Sequence, residues 1–276
     1  MKIRSFVIFV IAFSNFMFGW GDQGHKLIAK KAIASLPAEM KGYLQWQDYI
    51  TIHSVDPDIR KKDDKTEGPK HFIDIDFYKE FNNGKIVEDK KELVALYGDS
   101  MVTRQGLLPW ATLNSYNKLI QALKEKNKDN ILLYTSDLAH YVGDGHQPMH
   151  AMLNFNGQLT NQKGLHARYE ITMVDKYLSE IESSIKNVNV TKVDSPLQFI
   201  FNYLANGNSV KYVLLGADIE STKLSGGTDN EEYLRLLWFK TQYVTELQFN
   251  TAVSDLASLI YTAWMEAGKP DLTTIK

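Results

Sequence analysis

The sequence predicts an all-α fold, built as a single multi-helix domain. Apolar residues recur every three or four positions along most of the chain, which is the spacing of a buried helical face. No stretch alternates apolar and polar residues strongly enough to predict a sheet, and no internal repeat is present. With 276 residues, of which 44% are hydrophobic and 12% aromatic, the chain can bury one sizeable core.

The individual helices are predicted from these apolar patterns and from the turn residues between them. "KLIAKKAIASLP", which follows "WGDQGH", predicts the first helix, and Pro37 ends it. Pro109 suits the first turn of a later helix, Pro148 ends another, and Gly268 with Pro270 marks the end of the last one. The other predicted helices cover residues 87–104, 110–126, 130–147, 165–185, 196–215 and 229–267, the last with Thr228 or Asp229 as its N-cap.

Residues 1–19 differ from the rest of the chain. Two cations in "MKIR" precede the apolar run "SFVIFVIAFSNFMF", which has the length of the apolar region of a signal peptide. A membrane span needs about 20 apolar residues, and this run is shorter. We therefore expect residues 1–19 to be a signal peptide that is removed. Residues 20–276 would then form a single all-helical catalytic domain, exported to the periplasm or secreted, without a transmembrane segment.

Charge and cysteine content exclude several classes of protein. The 31 basic and 33 acidic residues nearly balance, so the chain is not a strongly basic nucleic-acid clamp. It has no cysteine, which excludes disulfides and cysteine-ligated zinc. Any metal site must therefore use histidines, carboxylates and backbone or terminal groups.

The histidines are concentrated in the first part of the chain, since all seven precede residue 167. His140 and Asp144 are four residues apart, so on a helix they project from one face, and His166 and Glu170 repeat this spacing. One such pair alone is more typical of a helix cap or a surface pair. Two pairs with His150 between them predict a metal site. Nitrogen and oxygen ligands suit catalytic zinc, and neighbouring zinc ions that share a carboxylate suit phosphoester hydrolysis.

Four motifs resemble, in order and spacing, those of the superfamily of zinc-dependent phospholipases C and single-strand-specific zinc nucleases. They are "WGDQGH", "KHFIDID", "LAHYVGDGHQPMH" and "GLHARYE", and the likeness covers most of residues 20–170. The resemblance implies an all-α fold of this type with three zinc ions. Carried over by position, the implied ligands are Asp56, His71, His140 and Asp144 for one ion; His150, His166 and Glu170 for a second; and the α-amino nitrogen and carbonyl oxygen of Trp20, with His25 and a shared Asp144, for the third.

The choice between Asp56 and Asp58 as a ligand, and the roles of two further histidines, are left open by the sequence. "SVDPDIR" contains both Asp56 and Asp58; we expect Asp56, fifteen residues before His71, to be the ligand, with Asp58 as the alternative. The resemblance also implies that Asp56 orients or deprotonates the attacking water. His53 and His146 match no ligand of the superfamily, and we expect them to be outer imidazoles.

The substrate is predicted less directly than the metal centre. Glu170, where the nuclease pattern has aspartate, and the short span from His150 to His166 favour a phospholipase C-like enzyme that cleaves phospholipid headgroups. The opening "WGDQGH" instead resembles the nucleases, so a single-strand-specific endonuclease and 3′-nucleotidase is the alternative. The partner is therefore a phospholipid or a single-stranded nucleic acid as substrate, and the protein is expected to be a monomer. An exported zinc-binding protein without catalysis is a third interpretation.

Overall fold

The structure, a computed structural model, describes residues 20–275; the expected signal peptide lies outside the described residues. Within them the chain forms helices and turns, with no strand, which confirms the all-α prediction. The α-helices are α1 (Gly21–Ala34), α2 (Gln47–His53), α3 (Asp56–Arg60), α4 (Lys79–Asn82), α5 (Lys90–Tyr97), α6 (Asp99–Arg104), α7 (Leu108–Glu125), α8 (Lys128–His146), α9 (Leu165–Ala167), α10 (Val174–Lys176), α11 (Leu178–Ser184), α12 (Pro196–Ser209), α13 (Lys211–Ser225) and α14 (Glu231–Glu266). Short 3-10 segments cover Ala38–Trp46, Gly68–His71, Ile75–Phe77, Pro148–Ala151 and Leu272–Thr274.

The core lies where α1, α7 and α8 pack against the long helix α14. α7 and α8 pack against each other because the chain reverses at Lys126, whose φ of 54° lies in the left-handed region. Buried Trp20 lies at the start of α1, and its ring packs 4.5 Å from that of Phe249 of α14. Large side chains in such contacts contribute most of the hydrophobic stabilisation. A second apolar cluster, around Ile73 and Phe201, packs beneath the segment that follows His71.

Several helix boundaries differ from the prediction for local reasons. The single helix expected at 87–104 is two helices, because Gly98 between them has a φ of 82° that interrupts the helix. The helix expected at 196–215 breaks at Val210, and the second piece continues to Ser225. Asn230, rather than Thr228 or Asp229, caps the last helix by accepting a hydrogen bond from the backbone N–H of Tyr233.

The helix expected at 165–185 contains a wider turn. Between α9 and α10 the backbone forms a π-helical segment, Arg168–Met173, and a break follows at Tyr177. π-helical turns inside helices often occur at functional sites. In this protein the segment carries Glu170, one of the expected metal ligands.

In the part of the chain that the structure describes, we find no helix with the length and apolar character needed to cross a bilayer. Even α14, the longest, starts with Glu231 and Glu232 and places Arg235 and Lys240 in its first turns.

Candidate metal centre

α8 supplies the centre of the site. His140 and Asp144 project from one face of the helix and are fully buried, as their spacing predicts. Gly143 lies between them, and a β-carbon there would come within 2.7 Å of His25 Nδ1. The glycine therefore lets α1 approach α8 closely enough for the His25 ring to stack on that of His140, at 4.1 Å.

The first set of ligand-type atoms, called here the Asp58 group, consists of Asp58, His71 and His140 with Asp144 beside them. His140 Nε2 lies 2.9 Å from His71 Nδ1. Asp144 Oδ2 lies 3.0 Å from His71 Nδ1 and 3.1 Å from His140 Nε2. Asp58 Oδ1 is 3.5 Å from His71 Nδ1 and 3.7 Å from His140 Nε2. Four side chains thus point one atom each at a single small volume.

The structure does not bring Asp56 into this group, so the expected role of Asp56 as a metal ligand stays a prediction. Its carboxylate binds the ring of His53 one turn upstream, at 2.7 Å, and its side chain is 39% exposed. Asp58, two residues later, projects from the other side of α3 towards α8 and is buried. Residues two apart on a helix point in nearly opposite directions, so only one of the two can face the centre.

The second set, the His166 group, consists of His150, His166 and Glu170. His166 Nε2 lies 2.7 Å from Glu170 Oε2 and 3.1 Å from His150 Nε2. Burial raises the pKa of Glu170, but the neighbouring His166 and His150 outweigh it and lower the pKa to about 2. A carboxylate with so low a pKa stays ionised, as a metal ligand must.

The third set, the His25 group, contains His25 with His140 and Asp144. His25 Nε2 lies 3.5 Å from Asp144 Oδ1. Trp20 precedes α1 and is buried against the rings of Tyr169 and Phe249, while its carbonyl oxygen accepts the backbone N–H of Gly24. The position of Trp20 as a ligand stays a prediction.

Asp144 joins the three sets. Its Oδ2 faces the Asp58 group, while its Oδ1 lies 3.5 Å from His25 Nε2 and 3.4 Å from His150 Nδ1. Burial raises the pKa of this carboxyl, but His140 and His150 outweigh burial and hold the pKa well below its usual range. A permanently ionised carboxylate between three imidazole-bearing sets is placed to bridge cations.

The side chains fit metal ions better than they fit one another. Buried polar atoms nearly always have hydrogen-bond partners, since leaving them unpaired costs roughly 1–3 kcal/mol each. Here both ring nitrogens of His25, Oδ2 of Asp58, Oδ1 of Asp144 and Oε1 of Glu170 are buried without a hydrogen-bond partner. A set of imidazole nitrogens and carboxylate oxygens without sulfur suits zinc.

Backbone carbonyls fix which ring nitrogen faces the centre. Nδ1 of His140 donates to the carbonyl of Ser54 at 2.8 Å, Nδ1 of His150 to that of His71 at 2.6 Å, and Nδ1 of His166 to that of Phe155 at 2.9 Å. Because a carbonyl only accepts, Nδ1 carries the proton and Nε2 presents its lone pair inward.

Glu67 performs the corresponding role for His71, whose Nδ1 faces the centre. Glu67 Oε1 lies 3.6 Å from His71 Nε2, and the carboxylate also accepts from Lys70 and Tyr141. Burial raises the pKa of Glu67, yet the neighbouring His71 and Lys70 lower it far below its usual value. Sequence reasoning missed this residue, although its position four residues before His71 is a helical-contact spacing that could have identified it.

We expect Glu67→Gln to weaken zinc binding about 10–100-fold, because the amide cannot hold His71 with the same charge. Competition with a zinc chelator of known affinity measures this loss. The matched control is Glu92→Gln, which changes an exposed glutamate outside the site. Equal zinc affinity for Glu67→Gln and the wild type would contradict the role of Glu67.

Gln147 and three residues beyond position 200 also hold the ligands. Gln147 donates to Glu170 Oε2 at 2.6 Å. Asp218 of α13 accepts from Gln162 and from Arg168, which lies between His166 and Glu170 in the sequence. The remaining supports are Asn208, which binds the carbonyl of Ala151, and Lys211, which binds Asp76. No local sequence pattern points to these C-terminal supports.

Asp74, three residues after His71, gives the protein a pH-dependent stability. Burial, followed by the charge of Asp76, raises the pKa of Asp74 to about 7. The folded chain then holds a proton that the unfolded chain releases near pH 4, so this residue stabilises the fold less as pH rises from about 4 to 7. We expect the stability difference between wild type and Asp74→Asn to fall by roughly 1–4 kcal/mol over that range. Denaturant unfolding at pH 4 and at pH 7 measures the free energy of unfolding of both proteins. Asp63→Asn, at an exposed position, is the control. An equal difference between wild type and Asp74→Asn at the two pH values would contradict the raised pKa of Asp74.

The sequence model of the S1/P1 nuclease family matches residues 20–194, which contain every ligand-type residue described above. The chain belongs to the S1/P1 nuclease family. Its fold and its membership of the phospholipase C and zinc nuclease superfamily are thereby confirmed. No curated protein matches the chain well enough to count as a relative.

This S1/P1 nuclease family member is a hydrolase of phosphodiester bonds, and its family fits the nuclease alternative better than the phospholipase C preference. That preference is not confirmed, and the geometry shows why its main observation is weak. Glu170 reaches both His150 and His166 despite its extra methylene, at 3.5 and 2.7 Å. The length of this carboxylate therefore does not determine the substrate.

Proposed function

We propose that the chain is a zinc-dependent nuclease that cleaves phosphodiester bonds in single-stranded nucleic acid, with three zinc ions held by the Asp58, His166 and His25 groups. The observation that carries the proposal is the position of Asp144, whose two oxygens face the Asp58 and His25 groups while Oδ1 also lies 3.4 Å from His150 of the His166 group. The family match supports the reaction class. Bound zinc ions in such a centre lower the pKa of water and neutralise charge on phosphate oxygens.

Asp58 takes the place expected for Asp56. Its carboxylate is buried, with Oδ1 3.5 Å from His71 Nδ1, so one oxygen can bind metal while the other accepts a proton from the attacking water. Lys61, one turn later, places its ammonium 2.5 Å from Asp58 Oδ1. That cation is placed to attract a phosphate oxygen.

The depth of the centre supports a single-stranded substrate. None of the eight residues in the three groups is more than 5% exposed. A phosphate of a flexible single strand can reach a recessed site, whereas the backbone of a rigid duplex stays at the protein surface.

Processing before Trp20 belongs to the same proposal. Gly21 packs against the backbone of Glu170, and His25 lies beside Asp144, so the first turn of α1 borders two of the three groups. Cleavage after Gly19 would give Trp20 a free amine, with a pKa of about 8, that can bind zinc. We expect chains that start at Trp20 to bind one more zinc ion than chains that retain Gly19, as measured by metal analysis.

A substrate panel tests the proposed function. The processed, zinc-loaded protein is given single-stranded DNA, duplex DNA of the same sequence, RNA, a 3′-nucleotide and phosphatidylcholine. We expect rapid cleavage of the single strands and little cleavage of the duplex. Release of phosphocholine without nuclease activity would support the phospholipase instead, and tight zinc binding without any turnover would support the non-catalytic zinc-binding protein.

A further inference from the structure

A cavity of about 490 Å³ lies between α7, α8 and the segment that joins Asp58 to His71. Pockets of about 300–1,000 Å³ hold small organic ligands. Glu67 and Tyr141 line this cavity, and behind them lie the rings of His71 and His140. The cavity is therefore separated from the metal centre by one layer of side chains.

Four basic side chains line the cavity with three acidic ones, of which Glu67 and Asp137 are paired with cations and Asp64 accepts from Thr66. Lys70, Lys90 and Lys118 line it together with Arg60. At its floor, Glu67 accepts from Lys70, and Arg60 donates to Asp137 at 2.9 Å. Lys70 is paired with Glu67, whereas Lys90 Nζ lies 3.9 Å from exposed Asp99 and Lys118 Nζ lies over the ring of Tyr134. Lys90 and Lys118 can therefore turn to an anion beside Lys70, and a phosphate dianion is the common biological anion that several such groups bind together.

Aromatic rings and small polar groups lie next to these lysines. Trp110, half-buried, donates its Nε1 to the carbonyl of Glu88, which fixes the ring at the cavity wall. Lys118 Nζ lies 5.3 Å from the centre of the Tyr134 ring. Asn114 adds an amide on the exposed side. A planar, hydrogen-bonding base can stack on such rings.

We propose that this cavity is a second binding site, for a nucleoside monophosphate, distinct from the metal centre. The phosphate lies among Lys70, Lys90 and Lys118, and the base stacks on Trp110. The choice of a nucleotide rests on the proposed nuclease function, whose reaction releases such molecules. The bond to Lys70 connects the site to Glu67 and so to His71.

Equilibrium dialysis of adenosine 5′-monophosphate against the zinc-loaded protein tests the site. We expect K90Q/K118Q to lose one nucleotide-binding site per chain, or to weaken it about tenfold or more, as removal of charged hydrogen bonds does. Trp110→Leu should weaken binding of the nucleotide but not binding of inorganic phosphate. The control K91Q/K124Q changes exposed lysines next to Lys90 and on α7, and should bind as the wild type does.

The same preparations are assayed for cleavage of single-stranded DNA, which separates the two proposals. Loss of one nucleotide-binding site in K90Q/K118Q, with cleavage of single-stranded DNA retained, supports nucleotide binding in the cavity. Equal stoichiometry and affinity in K90Q/K118Q and the wild type would overturn the cavity inference and leave the nuclease untouched. Nucleotide binding that depends on Lys90 and Lys118 in a protein that cleaves no nucleic acid would overturn the nuclease and leave the cavity.

Discussion

Asp144→Asn is expected to remove bound zinc and to lower kcat/KM on single-stranded DNA by more than about 100-fold. Substitution of a residue that only hydrogen-bonds to a metal ligand can already lower activity by about 10–100-fold. The substitution keeps the size of the side chain and removes its charge. The Asp58 and His25 groups lose a shared carboxylate at once, because Asp144 oxygens lie within 3.5 Å of His25, His71 and His140, and the neighbouring His150 loses a charged neighbour. Metal analysis and a cleavage assay measure the two effects.

Asp129→Asn provides the matched control for this variant. Asp129 lies in the first turn of the same helix but is exposed, so its replacement should leave both zinc content and turnover unchanged. Full zinc content and normal turnover in Asp144→Asn would contradict the bridging position.

Asp58→Asn and Asp56→Asn are expected to differ widely although they are two residues apart. Asp58→Asn should lose one zinc ion and more than about 100-fold in kcat/KM, since it removes a ligand and the group that accepts the proton of water. Asp56→Asn should change kcat/KM by less than about twofold, because Asp56 binds His53 at the surface, and a surface pair contributes little.

The pair also separates the two readings of the motif "SVDPDIR". Equal losses in both variants would show that the segment acts through its fold rather than through one carboxylate. A severe loss in Asp56→Asn alone would restore the assignment made from sequence spacing.

Half of the candidate site could be predicted because two pairs of its residues follow helical spacing. His140 with Asp144, and His166 with Glu170, lie four residues apart, and a helix brings such pairs together whatever surrounds them. The choice between Asp56 and Asp58 could not be made in this way. Both positions are compatible with α3, and the packing of α3 on α8 decides which one faces inward.

The supports of the ligands were less predictable than the ligands themselves. Asp218 is buried and holds Gln162 and Arg168, yet it lies about 50 residues from both in the sequence. Its partners are defined only when α13 packs on the loop before His166. The break between α5 and α6 at Gly98 could, in contrast, be predicted locally, since a glycine inside a helical pattern indicates an interruption.

Anomalous X-ray scattering at the zinc edge, from crystals of the chain that begins at Trp20, locates the proposed zinc ions. We expect three peaks within one pocket: one between Asp58, His71 and His140; one between His150, His166 and Glu170; and one beside His25, with Asp144 contacting at least two of them. No peak at Asp144, or zinc bound only at surface histidines such as His53, would contradict it.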